Sequence, residues 1–146
     1  MIDRQMPAAV IFGFLALVAW PVPFFCKASA DTLAQIKVPQ GSELYREHCA
    51  QCHGADGTGD GPMAKVLTVH PANLTAISKS NGGTFPAERI AEIIRYGGDI
   101  QAHGERAMPI WGKVFSLEGG TGKGGAAFSR RAVIELKSYI QSIQSK

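Results

Sequence analysis

The chain has 146 residues, 45% of them hydrophobic and 18% charged, with a formal net charge of +3. That is enough for one small domain once its first segment is set aside. The weak positive balance forms no basic stripe of the kind that binds nucleic acid, and net charge alone does not name a partner.

Met1 to Arg4 carries the positive terminus and Arg4, an apolar run follows from Pro7 to Trp20, and Ala28-Ser29-Ala30 supplies a small-x-small cleavage pattern. These are the parts of a secretory leader, residues 1–30, whose removal leaves one domain over residues 31–146. Removal takes Arg4, Lys27 and Asp3, so the remaining formal charge is +2. The competing reading is an uncleaved anchor, because the 21 residues from Met6 to Cys26 contain no charge. That is close to the length a bilayer core requires. Pro21 and Pro23 interrupt a helix where it should continue, which favours cleavage, export and a periplasmic location. Phe24-Phe25-Cys26 lacks the small residues of a lipoprotein anchor.

A helix is expected over Ser42–Cys52, with Ser42 as N-cap, Glu43 in the first turn, and Leu44, Tyr45, His48, Cys49 and Cys52 on one face. Its end carries Cys49-Ala50-Gln51-Cys52-His53. Two thiols three positions apart with a histidine directly behind is the arrangement that attaches a c-type haem. The sulfurs add across two vinyl groups on one porphyrin edge, so they must rise from about one helical turn. The adjacent imidazole of His53 is then held under the iron as an axial ligand. A zinc site is the first alternative, but it needs four ligands, and the third cysteine, Cys26, lies in the leader. A redox dithiol would follow a strand, and here the flanks read as helix and glycine-rich loop. A Cys49–Cys52 disulfide would close a very small ring and stabilise little.

Gly57, Gly59 and Gly61 alternate with polar residues, the mark of a loop passing close to something. A short helical stretch is expected over Met63–Leu67. Pro86 opens a firmer helix, Ala87–Tyr96, with Ile90, Ile93 and Ile94 inward and Gly97 at its end. Gly98–Gly112 reads as extended loop. Within it, Met108 is the candidate for a second axial ligand, 55 residues beyond His53, with Pro109 holding its backbone extended. The plain alternative is a core methionine. Met63, His70 and His103 are the rivals. Gly119–Gly125 reads as a flexible excursion, and a final helix is expected over Arg130–Ser142 behind a Ser129 cap, with Val133, Leu136, Ile140 and Ile143 forming its buried stripe.

Other patterns fail on inspection. Asp56 to Gly61 opens like a calcium loop, but Leu67 stands where a bidentate Glu is needed. Gly122-Lys123 is followed by Gly124 where a P-loop requires Ser or Thr. No catalytic triad or convergent carboxylate pair is visible, so no catalytic residue is assigned.

Taken together, Tyr45-x-x-x-Cys49-Ala50-Gln51-Cys52-His53-Gly54, Gly59-Asp60-Gly61-Pro62, Pro71-x-Asn73-Leu74-Thr75, Ile93-Ile94-Arg95-Tyr96-Gly97 and Met108-Pro109-x-Trp111 resemble the bacterial class I, single-haem cytochrome c family. The likeness extends from Ser42 to Ile143. It implies an all-α fold of about three or four helices wrapped around one covalent haem c, with long glycine-rich loops and the terminal helices crossing near the haem edge. It also implies that the Pro62 carbonyl accepts from the proximal imidazole, fixing its tautomer. Trp111 is expected to pack on the haem or to donate to a propionate, plain core packing being its alternative. Arg95 and Arg106 are weaker propionate candidates. The enlarged Gly119–Gly125 segment departs from the compact family pattern.

The first functional expectation is an electron carrier, not an enzyme in its own right, that cycles between Fe(II) and Fe(III) and docks transiently with a protein donor and acceptor. The second is a haem-bearing subunit of a membrane or periplasmic oxidoreductase. The third is a haem enzyme with a displaceable distal ligand.

Overall fold

A computed structural model of the chain describes residues 36–98, 101–102, 105–106 and 108–145. The expected leader, His103 and the side chain of Arg106 lie outside the described residues.

The described residues form an all-α fold. In chain order the helices are α1 (Gly41–His48), α2 (Ala50–His53), α3 (Ile77–Ser80), α4 (Ala87–Tyr96), α5 (Trp111–Glu118) and α6 (Gly122–Ser142). Single 3-10 turns occupy Pro62–Lys65 and Leu74–Ala76. Two-residue segments β1 (Gln101–Ala102) and β2 (Glu105–Arg106) pair antiparallel, with Gln101 opposite Arg106.

The first helix starts one residue earlier than the sequence suggests, because Gln40 and not Ser42 caps it. The Gln40 carbonyl accepts from the Glu43 and Leu44 amides, and the Glu43 carboxylate accepts in return from the Gln40 N–H at 3.2 Å. A reciprocal pair of this kind satisfies orphan groups at a helix start. The chain turns tightly at Cys49 but stays helical: Cys49 N–H donates to Tyr45 at 2.9 Å, and His53 N–H donates to Cys49 at 2.9 Å.

Leu44, Tyr45, Cys49, Ile94, Phe115, Ala132, Val133, Leu136 and Ile140 make one contiguous buried cluster. It joins α1, α4, α5 and α6, and each fully buried large side chain contributes about 1.5–3 kcal/mol relative to exposure. The crossing of α1 on α6 is close. A Cβ at Gly41 would overlap the Glu135 carbonyl and approach the Tyr139 Cβ at 2.9 Å.

Three expectations fail between residues 98 and 142. The stretch expected as loop through Gly112 ends in a helix, Trp111–Glu118, that the sequence does not announce. The last helix begins at Gly122, eight residues before Arg130, so most of the glycine-rich segment is helical. Ser129 is no cap but a buried mid-helix residue whose hydroxyl donates to the Gly112 carbonyl at 2.8 Å. Packing explains the override of weak glycine propensity. A Cβ at Gly119 would overlap Phe128, and one at Gly125 would overlap the carbonyls of Gly120 and Ser116. The glycines let α5 and α6 lie against each other as a tight helical hairpin.

Candidate functional site

Cys49 and Cys52 are both free thiols. With His53 and Met108 they line one cavity of about 170 Å³, whose wall also includes Leu67, Val69, Pro71 and Trp111. A second cavity of about 360 Å³ shares Cys49, His53, Ala72 and Met108 and is walled by Leu74, Ile77, Ile90, Ile93, Ile94 and Ile140. Cys49, Cys52 and His53 therefore meet Met108, 55 residues beyond His53, on one apolar hollow. Ligand pockets of this kind are mostly apolar with a few convergent polar groups.

The imidazole of His53 is oriented by backbone. Its Nδ1 lies 2.9 Å from the Ala72 carbonyl oxygen. A carbonyl only accepts, so Nδ1 carries the proton, and the neutral ring keeps its lone pair on Nε2. No hydrogen bond engages Nε2 among the described residues, which leaves it available to a metal. Burial pushes the His53 pKa below its ordinary value, with the bond to Ala72 opposing. Both ligand lone pair and neutrality are thus present near pH 7.

The expected acceptor was Pro62, and in this structure it is Ala72. Pro62 opens a 3-10 turn, so its carbonyl is directed along the turn axis toward the residue three ahead. The loop between the two instead brings residues 71–74 against the motif. Gly59 N–H donates to the His53 carbonyl at 2.8 Å, and Leu74 N–H donates to Gly57 at 2.7 Å. Gly59 has φ 96°, and a Cβ there would stand 2.5 Å from the Pro71 carbonyl. Only glycine allows this approach.

Burial drives the Cys49 thiol up to about 12, the nearby Cys52 adding to the effect. It is a neutral thiol against an apolar wall. Trp111 sits at the cavity, with its ring 5.2 Å from that of His48 and 6.0 Å from that of Phe115. His48 also stands edge-on to Phe115 and within 3.8 Å of the Glu118 carboxylate. Of the rival ligands, Met63 is 44% exposed and lines neither cavity. His70 is exposed at the cavity rim, its Nδ1 3.0 Å from the Pro71 carbonyl. Arg95 lies over the Tyr96 ring at 5.9 Å and lines neither cavity.

This donor set fits a haem: two thiols on one turn, an imidazole with a free Nε2, a thioether, and apolar walls. Among the described residues no group of three or more His, Cys, Asp or Glu side chains could hold a bare metal ion.

Residues 37–119 match the family model described as cytochrome c oxidase, cbb3-type, subunit III. The chain belongs to this cytochrome c family. No curated protein and no solved structure matches it. A cytochrome c domain implies haem c as cofactor and haem-based electron transfer as its role, as carrier or as oxidase subunit. Sequence reasoning missed Ala72 as the acceptor for His53 Nδ1 and His48 as a cavity residue. Ala72 carries no side-chain signal, since only its carbonyl acts. His48 stands on the expected helix face, but its partners Trp111, Phe115 and Glu118 belong to α5, a helix the sequence does not announce.

Proposed function

We propose that this cytochrome c domain is an exported, single-haem electron-transfer module, with haem attached through Cys49 and Cys52 and ligated by His53 and Met108. The observation that carries this reading is the shared cavity of those four residues, with Nε2 of His53 unengaged. The bound haem would supply a one-electron couple between Fe(II) and Fe(III). Cys49 and Cys52 would tether it, and His53 and Met108 would hold its iron, leaving no position there for water or substrate. The soft thioether of Met108 favours the reduced state and raises the reduction potential. The apolar side chains around the cavity keep the site rigid and dry. Trp111, which lines the same cavity, would pack against the bound group or donate its N–H to a propionate.

The test is an optical spectrum of protein matured in a haem-attaching host, ferric and ferrous. A ferric sulfur-to-iron charge-transfer band that vanishes in Met108→Ala supports Met108 as ligand. Persistence of the band in that variant moves the assignment to Met63. Carbon monoxide that binds the reduced wild type readily at neutral pH would favour the enzyme reading.

A second reading makes the domain a subunit of a membrane oxidoreductase. The description of the matched family favours it, as does the uncharged stretch Met6–Cys26. Membrane fractionation with N-terminal sequencing separates the two: a soluble protein beginning at Asp31 is the free carrier, and a membrane-bound one retaining Met1 is the subunit.

A further inference from the structure

The carbonyl that orients His53 belongs to a segment held from the far end of the chain. Gln144, just past α6, reaches back across the fold. Its side-chain Nε2 donates to the Leu74 carbonyl at 2.6 Å and to the Ile140 carbonyl at 2.8 Å, while its Oε1 accepts from the Ser78 N–H at 2.8 Å. The orientation of the amide is fixed by these partners. Two are pure acceptors and one is a pure donor, so a flipped amide would lose all three bonds. Ser145 adds to the grip, with its N–H 2.8 Å and its hydroxyl 2.7 Å from the Thr75 carbonyl.

The gripped residues are the continuation of Ala72. Leu74 is bound on one side by its N–H to Gly57 and on the other by its carbonyl to Gln144. Both anchors hold Leu74, two residues beyond Ala72, and so limit how far the Ala72 carbonyl can swing away from His53. Ala72 itself is exposed, so nothing packed over its side chain holds it. The hydrogen bonds of the flanking residues do that work.

We propose that Gln144 is a positioning residue for the proximal imidazole, acting through Leu74 and Ala72 to set the strength of the His53 Nδ1–H hydrogen bond. This rests on the reading of His53 as the iron ligand. A strong bond at Nδ1 makes Nε2 more basic and the site more electron-rich, which lowers the reduction potential. Loss of Gln144 therefore loosens the carbonyl, exposes Nδ1–H to exchange and favours the reduced state.

The experiment uses the haem-loaded protein and compares wild type, Gln144→Leu, Gln144→Lys and Val133→Ala. Leu keeps the bulk and removes every hydrogen bond. Lys keeps donors for the Leu74 and Ile140 carbonyls. Val133 is a core residue at 1% exposure with no side-chain hydrogen-bonding group, so its truncation leaves the hydrogen bonds of Gln144 in place and reports general destabilisation. Two readouts are taken: the exchange rate of the His53 Nδ1 proton by NMR, and the reduction potential. Gln144→Leu should exchange about fivefold faster or more, the factor expected for one lost hydrogen bond, and should shift the potential upward. Gln144→Lys should stay nearer wild type on both. Val133→Ala should melt earlier and leave both unchanged. Wild-type values in Gln144→Leu, or equal shifts in Val133→Ala, overturn the proposal. If Gln144→Leu yields no haem-loaded protein, Gln144→Glu decides, since it keeps an acceptor for the Ser78 N–H and loses both donors: faster exchange in it than in Val133→Ala sustains the proposal, and wild-type exchange overturns it. Failure of the underlying haem reading looks different, because the wild type itself would then give no covalent haem spectrum.

Discussion

The buried hydroxyl of Tyr45 donates to the carbonyl of Gly54 at 2.7 Å, tying the middle of α1 to the residue that follows the Cys49–His53 motif. Gly54 leaves the helix at φ 81°, and its buried carbonyl accepts a second, longer bond from the Gly57 N–H at 3.3 Å. Tyr45 also meets Tyr139 of α6, ring centroids 5.1 Å apart. One side chain thus links the motif, its helix and the last helix.

Removing that hydroxyl should cost stability without removing packing. Tyr45→Phe is expected to lower the unfolding free energy by about 0.5–1.5 kcal/mol, the net contribution of one hydrogen bond when the Gly54 carbonyl keeps its bond to Gly57, read as a lower denaturant midpoint at unchanged slope. The pH dependence follows from the direction of the phenol shift. Burial, chiefly, raises the Tyr45 pKa above its ordinary 10.0, so its contribution is complete below pH 10 and is lost as pH rises beyond it. Wild type should therefore lose stability above pH 10 more steeply than Tyr45→Phe. Parallel curves for the two proteins would refute that assignment.

The α1–α6 crossing depends on the absence of one methyl group. Gly41→Ala drives a Cβ into the Glu135 carbonyl, and overpacking of this kind costs about 1–3 kcal/mol. Thermal melting should fall accordingly. An unchanged melting temperature would mean that the two helices separate easily and that their contact contributes little.

The cofactor is expected to be part of the fold. Cavities of about 170 and 360 Å³ are walled by side chains from the motif helix, α4 and the segment before α5, and without a large apolar group these walls have nothing to pack on. The Cys49→Ser/Cys52→Ser double variant should lose haem and with it most cooperative unfolding, seen as weak helical circular dichroism and a broad melt. A sharp two-state transition in that variant would argue that the protein core suffices alone.

Much of this arrangement was legible in the residues, and the failures have physical causes. The Cys49–His53 motif and Met108-Pro109 were readable because their chemistry fixes residue type and spacing. The helix over Ala87–Tyr96 was bounded correctly by Pro86 and Gly97, since both act through local backbone geometry. α5 was hidden by the glycines around it, although Trp111 and Phe115 stand one turn apart. The start of α6 was hidden for the same reason: glycine looks flexible locally, and its use at Gly119 and Gly125 is to let two helices touch. Ala72 and Gln144 were illegible because a backbone carbonyl and a long-range amide leave no periodic trace.

The account stands on thioether bonds between Cys49, Cys52 and one porphyrin. Intact-mass spectrometry of the matured protein after denaturation and acid-acetone washing tests this directly. The predicted result is a coloured polypeptide heavier than its sequence by one haem, with the added mass retained on a fragment containing Cys49 and Cys52. A colourless product with the mass of the bare polypeptide would contradict it.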